Sequence, residues 1–127
     1  MNYTMSSDKI ISKRMDDELI IINLENGVYY GIEGVAMPIW EALTAHAAQS
    51  DIVALLSTSY PDEAHTTAAY TGFVEELLSA GLIKEHDAPD ASMPELVWPK
   101  TWEPPFFEAY EDVSALVALD PPLPELD

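Results

Sequence analysis

Three histidines and one pair of adjacent glutamates are the side chains of this chain best suited to acid–base or metal chemistry. His46, His65 and His86 lie in three separate contexts without metal-ligand spacing, so we expect them at the surface or at helix ends. Glu75 and Glu76 are neighbours on a predicted helix and face different directions, which makes them poor partners for acid–base catalysis. The sequence has no cysteine, Gly-rich phosphate loop, serine elbow or HExxH motif. We therefore expect a protein that is not an enzyme, with no catalytic residue, no metal site and no cofactor.

The strong negative charge narrows the range of partners. The 127 residues include 23 acidic and 5 basic side chains, which gives a net charge of −18. Such a surface repels nucleic-acid phosphates, so we expect no nucleic-acid partner, but partners that are basic or bound through apolar contacts and main chain. The alternative is that the charge serves solubility alone. No apolar run is long enough to cross a membrane, and the N-terminus does not resemble a signal peptide, so we predict no membrane association and a cytoplasmic location.

A change of composition near Asp87 divides the chain into two regions. Residues 87–127 hold eight of the ten prolines, two of the three tryptophans and ten acids, with Lys100 as their single base. We predict a folded unit over residues 1–86 and a Pro-rich acidic tail over residues 87–127, extended or with one short helix. The tail is too aromatic for an inert linker, and its stretch FFEAYEDVSALVAL could form a short amphipathic helix.

The pattern of the first unit predicts an α+β fold. Three short strands are expected over residues 9–15, 18–24 and 28–32, and Glu25-Asn26-Gly27 gives a tight hairpin turn between the last two. Three helices are expected to follow, over residues 35–46, 51–60 and 63–80. The features that bound these helices are Pro38 near the first start, caps at Ser50 and Asp62, and Gly81 after the last helix. The order predicts a winged-helix-like plan, in which a three-stranded antiparallel sheet precedes three helices.

Two adjacent tyrosines lie on the third predicted strand. Tyr29 and Tyr30 must point to opposite faces, because side chains alternate along a strand. The strand VYYGI contains no Lys, Glu or Pro, which natural proteins use to blunt an uncovered edge. If it has only one neighbour, a peptide could add to it as a further strand, and so could a second copy of the chain, giving a homodimer. The alternative is that one tyrosine serves the core and the other a solvated face.

The order of three short motifs carries a resemblance to a known family. The motifs are Asn23 through Asn26-Gly27 to Tyr29-Tyr30-Gly31, the Ile39-Trp40 pair, and Phe73 through Glu75-Glu76-Leu77 to Gly81-Leu82-Ile83. Each motif is weak alone, but their order and spacing together resemble the PqqD-like family, the peptide-binding recognition elements of ribosomal peptide (RiPP) biosynthesis. The resemblance covers roughly residues 9–83.

The resemblance implies a small non-catalytic domain that captures the leader of a precursor peptide by β-strand addition and presents it to a peptide-modifying enzyme. In such domains the leader pairs with the third strand and lies in the cleft against the third helix. Carried onto this chain, the implied peptide-binding residues are Val28, Tyr29, Tyr30, Gly31 and Ile32 on the strand, and Thr66, Tyr70 and Phe73 on the helix. Pro38 departs from the family pattern, which puts the start of the first helix in question but not the groove.

Three roles are open for the tail. It could fold back over its own unit and fill the groove until a substrate displaces it, or it could be a docking arm for a partner enzyme. It could also be the modified substrate, fused to the domain that recognises it. In that case the protein is a precursor rather than a helper, which is the alternative function that the sequence leaves open.

Overall fold

The computed structural model describes residues 2–15 and 17–110, which form an α+β fold with six strands and three helices. The elements in chain order are β1 (Asn2–Met5), β2 (Ile10–Met15), β3 (Glu18–Asn23), β4 (Tyr29–Glu33), α1 (Ala36–Thr44), α2 (Gln49–Ser59), α3 (Thr66–Ser79), β5 (Ile83–His86) and β6 (Phe107–Tyr110). The α+β class with three helices following the hairpin strands agrees with the prediction. Within the described part of the chain, every helix is too short or too polar to cross a membrane.

The strands form two sheets, so the prediction of a single three-stranded sheet is wrong. The larger sheet is antiparallel with the order β2-β3-β4-β6, and the smaller one pairs β1 with β5. The three predicted strands correspond to β2, β3 and β4. The fourth strand, β6, comes from the tail. The two strands of the smaller sheet are far apart in sequence, since β1 lies near the N-terminus and β5 follows α3. The winged-helix-like plan stays a prediction.

The turn between β3 and β4 forms where the sequence places Asn26 and Gly27. Gly27 has a φ of 74°, a conformation that costs a residue without a Cβ little, and its N–H donates to the carbonyl of Asn23 at 2.9 Å. The Asn26 side chain accepts a hydrogen bond from the Val28 N–H, also at 2.9 Å. This local chemistry sets the register that brings Tyr30 opposite Ile21.

The helices begin at positions other than those predicted from capping residues. The N-cap positions of α2 and α3 are Ala48 and His65, and neither makes a side-chain cap hydrogen bond, so the caps expected at Ser50 and Asp62 are wrong. Pro38 lies in the first turn of α1, where its missing N–H has no intrahelical role, and α1 begins before it.

The end of α3 follows the prediction at Gly81. Gly81 has a φ of 74°, its N–H donates to the Leu78 carbonyl, and the Leu82 N–H donates to the Leu77 carbonyl. This is the double hydrogen bond of a glycine-terminated helix, and it turns the chain sharply into β5.

The larger sheet has two different faces. One face packs against the helices and joins the main core, whose largest fully buried side chains include Trp40, Phe73 and Ile21. The other face carries a smaller buried cluster of Ile20, Ile22 and Tyr29. The continuous apolar run 19–22 of β3 therefore supplies both faces, because side chains alternate along a strand.

The tail runs along the first unit rather than away from it. Its first residues are held near the N-terminus, where the Asn2 side chain donates to the Ala88 carbonyl, and the Ala91 N–H donates to the His46 carbonyl at 2.8 Å. Farther on, the Trp102 ring packs against Tyr60 with centroids 5.2 Å apart. The division at residue 86 stays a prediction, but the described tail residues contact the unit that precedes them.

The tail was predicted to be extended or to hold one short helix, and near the start of the possible helix the structure has strand β6. Phe107–Tyr110 adopt extended structure because they pair with β4. The edge of β4 supplies the backbone hydrogen bonds that these residues would otherwise make within a helix. The rest of the predicted helix lies outside the described residues.

Candidate functional site

The edge of β4 is the place where the first unit and the tail meet. β6 lies antiparallel along β4, with Phe107 opposite Ile32, Glu108 opposite Gly31, and Ala109 opposite Tyr30. β4 therefore has two neighbours, β3 and β6, and the tail folds back onto this edge, as in the first of the three roles left open for it. The strand added to this edge is residues 107–110 of the same chain, and the addition of a separate peptide stays a prediction.

Phe107 inserts its ring into an aromatic pocket formed by Tyr30 and Phe73. The ring centroids of Phe107 and Tyr30 lie 5.5 Å apart at 78°, and those of Phe107 and Phe73 lie 6.3 Å apart at 61°. Both arrangements direct the edge of one ring toward the face of the other, the geometry that aromatic quadrupoles favour. The groove between β4 and α3 thus contains an aromatic side chain supplied by an added strand.

The predicted strand residues divide between the two faces of the sheet. Tyr30 and Ile32 belong to the main core, with 4% and 1% of their surfaces exposed, and they form the floor of the groove. Tyr29 belongs to the smaller cluster on the opposite face. Gly31 lies opposite Glu108, and Val28 is half-buried just before β4. The structure therefore brings Tyr30 and Ile32, but not Tyr29, into the groove.

The predicted helix residues are all buried, but only one of them reaches the groove through a ring contact. Phe73 contacts the ring of Phe107, whereas the Tyr70 hydroxyl donates a hydrogen bond of 3.4 Å to the Gln49 side chain at the start of α2. Burial, with a smaller effect from Tyr3, raises the pKa of Tyr70. Thr66 is buried at the first residue of α3. Tyr70 therefore faces α2 and β1 rather than the added strand.

An open cleft continues the groove along α3 beside Phe107. Its walls are Gly72, Glu75, Glu76, Ser79 and Ala80. Both carboxylates are exposed, so the cleft is acidic where an added strand passes α3. Glu75 and Glu76 thus line the cleft beside Phe107 of β6.

The histidines lie apart from the groove. His65 is exposed at the N-cap position of α3, while His46 and His86 stack with ring centroids 4.1 Å apart. His46 contacts the Thr4 hydroxyl, and His86 contacts the Asn2 side chain. No group of three or more metal-ligating side chains occurs among residues 2–15 and 17–110.

Phe107 is the groove residue that the sequence reading missed. It lies in a stretch that was expected to be extended or to form a short amphipathic helix. No local signal identifies it, because the stretch around Phe107 fits a helical pattern as well as an extended one until β4 is known to be its partner. The backbone hydrogen-bond donors and acceptors along the edge of β4 pair with this segment of the same chain.

The fold and the groove define a class: a small α+β domain that accepts an extended segment along one edge of its sheet. The model of the family described as coenzyme PQQ synthesis protein D (PqqD) matches residues 18–83, just over half of the chain. The chain belongs to the PqqD family, the family of RiPP recognition elements. The comparisons with curated proteins and with solved structures gave no match.

Proposed function

We propose that this protein captures the leader segment of a ribosomal precursor peptide by β-strand addition to β4, and that it presents the peptide to a modifying enzyme. The protein binds and does not catalyse. Main-chain hydrogen bonds to residues 28–32 supply affinity, and pockets for alternate side chains supply specificity. Phe73 lines the main pocket, while Thr66 and Tyr70 support the buried side of α3.

One observation carries this proposal: β4 holds an antiparallel strand whose aromatic side chain fits between Tyr30 and Phe73. An edge that pairs with the tail offers the same hydrogen bonds to a peptide from another molecule. Membership of a family of peptide-recognition domains supports the same function.

The proposed peptide is basic or apolar. The net charge of −18 and the carboxylates of Glu75 and Glu76 beside the groove disfavour an acidic ligand at long range. Nucleic acid is disfavoured for the same reason. A homodimer through β4 stays a prediction, and in it the second copy would have to replace β6.

The test is a binding titration with short peptides encoded beside the gene. It uses the wild-type chain and a Phe107→Ala variant, in which the tail's ring leaves the pocket. We expect micromolar or tighter binding that Tyr30→Leu weakens about three- to tenfold, the value of one aromatic pair. Tyr29→Leu on the opposite face is the matched control and should bind as the wild type does. If neither the wild type nor Phe107→Ala binds any of these peptides, peptide capture is refuted.

A second candidate function is that of a substrate whose own recognition domain guides modification of its tail. The observation that favours it is the position of β6, because a fused substrate would be held at the same edge. Co-expression with enzymes encoded nearby, followed by mass measurement of the intact protein, tests this candidate. An unchanged mass in the presence of active enzymes argues against it.

A further inference from the structure

Strand β6 occupies the place where a captured peptide would lie, and its register shows what that place selects. Phe107 and Ala109 share the face directed at the core, opposite Ile32 and Tyr30. The large ring of Phe107 fills the aromatic pocket beside Tyr30 and Phe73, whereas Ala109 is exposed. The bound pattern therefore has an aromatic residue at the position opposite Ile32.

The pairing of β6 is short and incompletely buried. It extends over four residue pairs, and Phe107 is half-buried while Glu108 and Ala109 are exposed. A strand held by so few buried contacts opens more readily than the core strands do. It can therefore leave β4 without unfolding the domain.

The tail segment before β6 has its own attachments to the domain. Asn2 binds the Ala88 carbonyl, Ala91 binds the His46 carbonyl, and Trp102 packs on Tyr60. Pro105, two residues before β6, is buried. These contacts hold the start of β6 near the edge of β4. A strand that has opened therefore stays tethered, at an effective concentration of about millimolar relative to that edge.

We propose that residues 107–110 are an internal ligand that closes β4 until a peptide with an aromatic residue in the Phe107 position displaces them. This inference rests on the proposed function and adds its regulation and the ligand class. A free peptide must compete with a tethered strand, so its apparent Kd rises in inverse proportion to the fraction of molecules with an open edge. Peptides without the aromatic residue cannot fill the pocket and leave the edge closed.

The experiment uses the tail's own sequence as a probe in trans. A fluorescent peptide EPPFFEAYED, corresponding to residues 103–112, is titrated with the full chain and with Phe107→Ala and Phe106→Ala variants. We expect Phe107→Ala to bind the probe about tenfold tighter than the wild type, because its edge is open more often. Phe106→Ala removes the same ring from the neighbouring exposed position and should bind as the wild type does. A probe that lacks the phenyl ring at position 107 should not bind.

Hydrogen exchange on the wild-type chain gives a second readout that does not depend on a variant. Excess probe should accelerate amide exchange in residues 107–110 while residues 29–33 keep their protection, because one strand replaces another. Equal probe affinity of the wild type and Phe107→Ala overturns the inference, as does the absence of probe binding to both.

The two proposals fail in different ways. If the probe binds Phe107→Ala but the peptides encoded beside the gene do not, peptide capture is wrong and the internal ligand stands. If those peptides bind the wild type and Phe107→Ala equally well, the internal ligand is wrong and peptide capture stands.

Discussion

The two edges of the hairpin sheet formed by β2, β3 and β4 differ in chemistry and in what covers them. β2 is exposed over five of its six residues and carries Lys13 and Arg14. β4 is buried over Tyr29–Ile32, has its only charge at Glu33, and is paired with β6. One edge therefore carries two cations and pairs with no further strand among residues 2–15 and 17–110, whereas the other is apolar over Tyr29–Ile32 and is covered by β6.

The difference shows that side chains decide which edge accepts a strand. Both edges offer the same row of backbone donors and acceptors. At β2 an added strand would have to lie against lysine and arginine side chains, which natural sheets use to prevent pairing. At β4 it meets glycine, isoleucine and the aromatic pocket, so pairing adds apolar contact to the hydrogen bonds.

The largest expected effect is on stability and compares isoleucines from the two edges. Ile32→Ala removes a side chain that is 1% exposed beneath Phe107, so we expect the free energy of unfolding to fall by about 2–5 kcal/mol. Ile11→Ala on β2 removes a side chain that is 42% exposed, and we expect about 0.5 kcal/mol or less. Denaturant unfolding of both variants measures the difference. Equal losses would show that the two edges are buried alike.

The second prediction concerns the contact that distinguishes the covered edge. A double-mutant cycle of Tyr30→Leu with Phe107→Ala should give a coupling free energy of about 0.5–1.5 kcal/mol, since the two rings meet edge to face. The same cycle with Tyr29→Leu is the control. Tyr29 lies on the opposite face, so its coupling to Phe107 should be near zero. Both coupling free energies are measured by denaturant unfolding. Similar values in the two cycles would show that Phe107 does not pack against Tyr30 in the pocket.

Features that depend on a few neighbouring residues could be predicted from the sequence. The Asn26-Gly27 turn and the end of α3 at Gly81 follow from which residues tolerate a positive φ. The placement of Tyr29 and Tyr30 on opposite faces follows from strand geometry. The edge of β4 was also recognisable as one that could accept a partner.

The exact pairing of distant segments could not be predicted, although a tail that folds back to fill the groove was one of the three roles left open. β6 is paired with residues about 75 positions earlier, and the stretch around Phe107 fits a helical or an extended pattern equally until that partner is known. β1 and β5 form for the same reason, since neither is strongly apolar alone. The α2 and α3 starts depend on packing, so the capping residues Ser50 and Asp62 did not mark them.

The third prediction separates Tyr70 from Tyr30, two of the three tyrosines that the resemblance assigns to the groove. Tyr70→Phe should leave peptide binding unchanged and should lower the free energy of unfolding at neutral pH by about 1 kcal/mol or less, the value of one hydrogen bond. Tyr30→Leu should weaken binding. A loss of peptide affinity in Tyr70→Phe would show that the Tyr70 hydroxyl takes part in peptide binding.

Tyr70→Phe should also change the alkaline limit of stability. Burial raises the pKa of Tyr70 in the folded protein, so the folded state keeps this proton at a pH where the unfolded state loses it. The associated stability is complete below the ordinary tyrosine pKa of about 10 and falls as pH rises above it. The free energy of unfolding, measured from neutral pH upward, should therefore fall less steeply in the variant than in the wild type. An identical slope in both proteins would contradict this assignment.

The smallest effect on stability is expected at the charged edge. Lys13→Thr with Arg14→Thr removes two exposed side chains and the Arg14–Glu41 ion pair, which should change the free energy of unfolding by about 1 kcal/mol or less. The same variant should nevertheless self-associate in sedimentation velocity, because threonine favours strands and no longer blunts β2.

The matched control for the charged edge is Lys84→Thr with Lys100→Thr, which removes the same charge at exposed positions away from β2. If both double variants associate, net charge keeps the protein monomeric. If only the β2 variant associates, the two cations act locally, and the contrast between the edges is a property of the strands themselves. If neither associates, lysine and arginine are not what keeps β2 open, and the selectivity for β4 must come from the aromatic pocket alone.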